Sequence, residues 1–140
     1  GMNARLNVIL RERRGLVYSV ESSMVCYGDT GLWSVYFGCD PHDVNRCVRL
    51  VKGEFKRLME KPLPEKTLAA AKRQIKGQLA VACDNNENFA IDFGKSFLHF
   101  GDEKDIEKLY QKIDAVTAEQ IQQVAKEIFD KDSLATLVIK

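Results

Sequence analysis

The hydrophobic period of this chain changes at Gly15. Before it, Leu6, Ile9 and Leu10 recur at the three- and four-residue spacings of one helix face. After it, Tyr18, Val20, Ser22, Met24 and Cys26 alternate with Ser19, Glu21 and Ser23, which is the two-residue period of a half-buried strand. A helix therefore ends near Arg13 and a strand begins near Leu16. Glycine tolerates the left-handed backbone that such a stop requires. The corner this predicts carries Arg11 on the last helical turn and Tyr18 as the third residue of the strand.

The elements that follow can be read with the same rules. Gly28-Asp29-Thr30-Gly31 is a turn, and alternation resumes at Trp33, Val35, Phe37 and Cys39, so the two strands are expected to pair as an antiparallel hairpin. Asp40-Pro41 suits a helix start, with Asp40 accepting from the first free amides and Pro41 where its missing N–H costs nothing. Val44, Cys47, Val48, Val51, Phe55, Leu58 and Met59 form the stripe of that helix.

Lys61-Pro62-Leu63-Pro64 breaks it, because proline cannot donate to the ladder and disfavours helix in the residue before it. A second long helix is predicted from Pro64, with Leu68, Ala71, Ile75, Leu79 and Ala82 on one face, and a break at Asp84–Asn86. Further helices are predicted over 88–100, stopped by Gly101, and over 102–112. Thr117 and Gln120 make a capping box for a last helix through Ile121, Val124, Ala125, Ile128 and Phe129. Leu134–Ile139 suits a strand returning to the sheet. This order predicts one α+β domain over residues 1–140, a mainly antiparallel sheet with helices packed on one face.

Composition excludes several classes of function. With 140 residues, 45% of them apolar, the chain has the size and hydrophobic content of one domain. Its 21 basic and 20 acidic residues leave a net charge of +1, too little for a broad field that attracts nucleic acid or an anionic membrane. Its apolar runs fall short of the roughly 20 residues that span a bilayer, so a soluble chain is expected. Four cysteines (Cys26, Cys39, Cys47, Cys83) contain no CxxC, and free thiols in a reducing, cytoplasmic compartment are the expectation.

Four stretches, in order, resemble the C-terminal half of insulinase/pitrilysin-type zinc peptidases, the family of the mitochondrial processing peptidases. They are Arg5-Leu6-Asn7 with Leu10-Arg11-Glu12-Arg13-Arg14-Gly15-Leu16-Val17-Tyr18-Ser19-Val20, then Asp29-Thr30-Gly31-Leu32-Trp33, then 71–79, and 113–121 leading to Val124-Ala125. The resemblance implies a metallopeptidase-like domain (LuxS/mitochondrial-processing-peptidase-like) lacking its first strand and helix, the latter part of a larger domain. It also implies a division of labour. The zinc motif HxxEH, whose histidines bind metal and whose glutamate activates water, would lie in the other half.

That motif does not occur here, since His42 and His99 are the only histidines and neither has the required neighbours. No metal ligand is expected in this chain, and by itself it is expected to be inactive. Its expected partners are a peptide substrate and the zinc-bearing half, on the same chain or a partner subunit, with no nucleic acid or membrane. By the same resemblance Tyr18 would donate to the oxyanion formed at the scissile carbonyl and Arg11 would hold neighbouring substrate backbone.

Spacing alone leaves a blander alternative for both residues: Arg11 as a solvated helix-end cation and Tyr18 as a core aromatic with a wet hydroxyl. The extended resemblance favours the functional pair. Arg13 and Arg14 are expected as surface charges, His42 as a surface histidine, His99 and the Phe89, Phe93, Phe97, Phe100 series as packing, and Trp33 as core or interdomain contact. A non-catalytic structural subunit of the same superfamily is the alternative function.

Overall fold

A hairpin closed on one face by helices carries the site. The computed structural model describes residues 2–83, 86–101 and 105–139, with the side chains of 86–89, 92, 99, 100 and 131 outside that set. Helix α1 (Met2–Leu6) runs directly into a π-helical turn (Asn7–Glu12), followed by strands β1 (Val17–Cys26) and β2 (Gly31–Cys39). Then come α2 (Val44–Glu60), α3 (Glu65–Cys83), α4 (Asn86–Phe100), α5 (Ile106–Ala115), α6 (Ala118–Ile128) and a 3-10 turn (Lys131–Ser133). The architecture is α+β, as the sequence implies. The chain forms two compact units, residues 1–62 with 122–140, and residues 63–121.

In the first unit the corner forms at Gly15, which takes φ 59°. Its N–H bonds to the Arg11 carbonyl at 2.8 Å and the Leu16 N–H reaches the Leu10 carbonyl at 2.8 Å, so the last orphan carbonyls are satisfied as the chain turns. The π-helical turn just before it is not visible in the hydrophobic spacing, because one widened turn leaves Leu6 and Leu10 on the same face. Both are fully buried. Around them lie Leu16, Val17, Cys47, Val51, Phe55, Ala125 and Phe129, with Val20, Trp33, Val35, Phe37 and Cys39 supplying the inner face of the hairpin.

Trp33 anchors this core. Its ring meets Phe55 and Phe129 edge-on at centroid distances of 5.2 and 4.8 Å, while Phe55 and Phe129 stack at 4.4 Å. Such pairs contribute roughly 0.5–1.5 kcal/mol beyond their buried area. The Gln122 amide donates to the Met59 carbonyl at 2.8 Å, tying α6 to the last turn of α2. Cys47, sealed in this core beside Cys39, has its thiol pushed up to about 11, chiefly by burial. All four cysteines are free.

Three expectations are corrected in this unit. Leu134–Ile139 does not return to the sheet: among the described residues the sheet is β1 with β2 alone, and residues 134–139 form no strand, leaving Leu137 and Ile139 85% exposed. β-Propensity favours an extended backbone, but a ladder also needs a free edge in register. Asp40 does not cap α2. That helix begins at Val44, behind a turn closed by the Asp43 N–H on the Asp40 carbonyl at 2.9 Å, so His42 sits in the turn and not on the helix. Finally, Tyr18 and Val20 do not share a face, because a bulge interrupts the pairing between Val17 and Ser19.

In the second unit the Lys72 ammonium donates to the Asp114 carbonyl at 2.7 Å, and Lys76 bridges the Asp114 carboxylate at 2.8 Å. The capping box forms reciprocally, Thr117 N–H to Gln120 Oε1 at 2.9 Å and Gln120 N–H to Thr117 Oγ1 at 3.2 Å. Gly101, at φ 67°, stops α4. Helix α5 starts at Ile106 behind an Asp105 cap and not at 102; residues 102–104 lie outside the described set. Phe93 stacks on Phe97 at 6.4 Å, yet Phe97 is 53% exposed, so the aromatic series is not sealed core; the side chains of Phe89, His99 and Phe100 lie outside the described residues.

A Cβ at Gly15 would meet nothing within 4 Å, so the cost of a side chain there is purely conformational. We predict that Gly15→Ala lowers stability by about 1–2 kcal/mol, measured by urea denaturation. In native protein at pH 8, iodoacetamide should label exposed Cys26 while Cys47 reacts only after unfolding, because thiolate is the nucleophile and Cys47 stays protonated. Tryptic mass spectrometry reads both.

Candidate functional site

The bulge in β1 sets the orientation of Tyr18. Val17 pairs with Cys39 and Ser19 with Gly38, so one extra residue, Tyr18, is fitted into β1. With it, Val17 and Val20 both join the core although they are three residues apart, and Tyr18 is left 68% exposed. A strand without the bulge would put Tyr18 on the Val20 face. The phenol instead stands at the rim, at the end of the hairpin nearest α2.

There its hydroxyl donates to Asp40 Oδ1 at 2.5 Å. This short charge-assisted bond raises the phenol above its ordinary value of 10, because ionisation would lose the bond and set two anions side by side. Tyr18 is thus held as a neutral donor, the protonation state an oxyanion partner needs. Its proton is committed to Asp40 in this arrangement. A substrate oxyanion would have to draw the hydroxyl away from that carboxylate.

Arg11 lies in the π-helical turn on the other side of the corner and is exposed. Among the described residues its guanidinium makes no hydrogen bond or ion pair, so all its donors remain available. Neither site residue is enclosed by the core. The backbone joins them through the Gly15 N–H bond to the Arg11 carbonyl and through the buried pair Leu16 and Val17.

Asp40 is the member of this site that sequence reasoning missed. Its position before Pro41 suggested a cap, and no local signal ties it to Tyr18: with Val17 opposite Cys39 in an antiparallel pair, Asp40 and Tyr18 are diagonal to each other, and only the hydrogen bond in the folded chain shows that they meet. Asp40, His42 and Asp43 also gather one potential ligand atom each within 4.8 Å. They do not fit a zinc centre of the peptidase kind. Asp40 is engaged by Tyr18, His42 Nε2 lies 3.2 Å from Asp43 Oδ2, and no second histidine joins them among the described residues.

The corner lies within a stretch that matches a known protein family. Residues 1–75 match the family model described as the Peptidase M16 inactive domain. An uncharacterized zinc protease of Streptomyces coelicolor is 29% identical over 131 residues, covering 94% of this chain and 28% of that protein. The beta subunit of the mitochondrial-processing peptidase of Bos taurus is 33% identical over 124 residues, 88% of this chain and 25% of that one. Among solved structures, a chain of complex III2 from Candida albicans superposes with a TM-score of 0.76 at 26% identity, over 88% of this chain and 29% of that chain. The periplasmic protease PqqL of Escherichia coli shares the fold at a TM-score of 0.70 and 20% identity, over 90% of this chain and 14% of that one. The chain thus spans less than a third of the length of these relatives.

Asp40→Asn should return the Tyr18 hydroxyl toward 10, since the neutral amide removes the charge that opposes ionisation. Difference ultraviolet titration of the protein against Tyr18→Phe isolates this phenol. An unchanged Tyr18 titration in the Asp40 variant would show that the carboxylate does not hold it.

Proposed function

Because this chain belongs to the M16 peptidase family, we propose that it is the substrate-binding, chamber-forming region of a zinc endopeptidase, working against a zinc-bearing half. The zinc site, with its HxxEH motif, would supply the activated water. This chain would supply the opposing wall. The substrate class in this reading is an oligopeptide or unfolded segment, and the chain alone is inactive.

The observation that carries the proposal is the exposure of Tyr18 and Arg11 on the two elements that meet at Gly15, within the residues the family model matches. Tyr18 presents a neutral hydroxyl on a bulge, at the end of a strand whose inner face is locked into the core. It can donate to the oxygen that gains charge as the scissile carbonyl is attacked. Arg11 presents five unpaired donors to peptide carbonyls. Asp40 positions the phenol between turnovers, and its bond to Tyr18 is replaced by the substrate's. The four free thiols support a cytoplasmic setting, which cell fractionation would test.

The likeness to a chain of complex III2 favours a second reading, a structural subunit that keeps the fold without chemistry. One experiment separates the two. In the complete assembly with its zinc half, Tyr18→Phe is expected to lower kcat about 10²-fold, as loss of one oxyanion donor does, with zinc content unchanged. Arg11→Ala is expected chiefly to raise KM. Full activity in both variants would remove the assigned roles, and absence of any turnover in the wild-type assembly would favour the structural subunit.

A further inference from the structure

Arginines from two elements converge on a cleft away from Tyr18. Arg13 and Arg14, at the end of the π-helical turn, face Arg49 and Arg57 of α2 across a cavity of about 180 Å³. All four are exposed, and together they concentrate positive charge on one patch of a chain whose net charge is only +1. One carboxylate offsets part of it. Glu54, 5% exposed, lines the same cleft and accepts from Arg57 at 2.9 Å, with Arg5 at 3.7 Å on its other oxygen.

Glu54 is thereby committed to Arg57 and Arg5. Among the described residues, Arg13, Arg14 and Arg49 have no acidic partner. Arg14 donates to the Ile9 carbonyl at 3.0 Å and Arg49 to the Asn45 carbonyl at 3.4 Å, contacts that orient the side chains and leave further donors on each. The lining carries four positive charges and one negative one. At low salt their mutual repulsion is relieved by an anion.

Gly53, in the middle of α2, also lines the cleft. Glycine destabilises a helix interior relative to alanine, and a Cβ here would meet nothing within 4 Å, so packing does not demand it. The volume equals about six waters at roughly 30 Å³ each, room for one or two phosphate-sized groups and too little for a folded peptide segment.

We propose that this cleft is a binding site for a small, multiply charged oxyanion, phosphate- or carboxylate-bearing, held by Arg13, Arg14 and Arg49 beside Gly53. The site is separate from the proposed peptide-binding corner and does not depend on that reading. Guanidinium forks match both phosphate and carboxylate oxygens bidentately, which a compact ammonium does not.

Isothermal titration calorimetry of the protein with inorganic pyrophosphate and with citrate, at low ionic strength, tests it. One saturable site is expected for at least one of them, with the tighter ligand assigning phosphate or carboxylate chemistry. Arg13→Gln and Arg49→Gln should each weaken that binding about tenfold. Gly53→Asp should abolish it, with the far-ultraviolet spectrum unchanged. Lys66→Gln, which removes an exposed positive charge on α3, should leave it as it was. Failure of both ligands to bind, or equal weakening by Lys66→Gln and Arg13→Gln, would overturn the proposal.

Discussion

The left-handed backbone at Gly15 is the constraint on which the remaining structure depends. It lets a helix whose buried face is Leu6 and Leu10 hand the chain to a strand whose first residues, Leu16 and Val17, enter the same core. A right-handed residue would carry the helix onward and take the strand away from Trp33, Phe55 and Phe129. The conformational cost of one glycine is small beside the burial that it permits. Arg11 and Tyr18 take their positions from that one turn.

The bulge at Tyr18 resolves a conflict in the strand. Burial of both Val17 and Val20 cannot follow from a period of two, and the extra residue absorbs the mismatch by leaving the inner face. The aromatic ring that would have been core becomes exposed, and its hydroxyl meets Asp40. Packing of two valines and exposure of one phenol are therefore a single event. The neutral state of the phenol follows from the same register, since it is the end of β2 that brings the carboxylate within reach.

Ion pairing is distributed unevenly around this core. Glu54 is buried and shared between two arginines, so that only loss of both would leave its charge uncompensated in a poorly solvated place. Arg13, Arg14 and Arg49 lie beside it, without an acidic partner among the described residues. Arg11, one turn earlier, is exposed and unpaired among the described residues.

Much of this was legible in the sequence by itself. The change of period at Gly15, the Gly28–Gly31 turn, the Pro62 and Pro64 break and the Thr117–Gln120 box are local signals, each set by the conformational or hydrogen-bonding limits of a few adjacent residues. They determined the helix–hairpin–helices order and the resemblance to the peptidase family. Tertiary structure alone decided the bulge, the partner of Asp40, the unpaired course of Leu134–Ile139 and the gathering of arginines from positions 13, 14, 49 and 57. Each of these depends on which residues distant in sequence compete for one core or one register, and a local pattern carries no record of that competition.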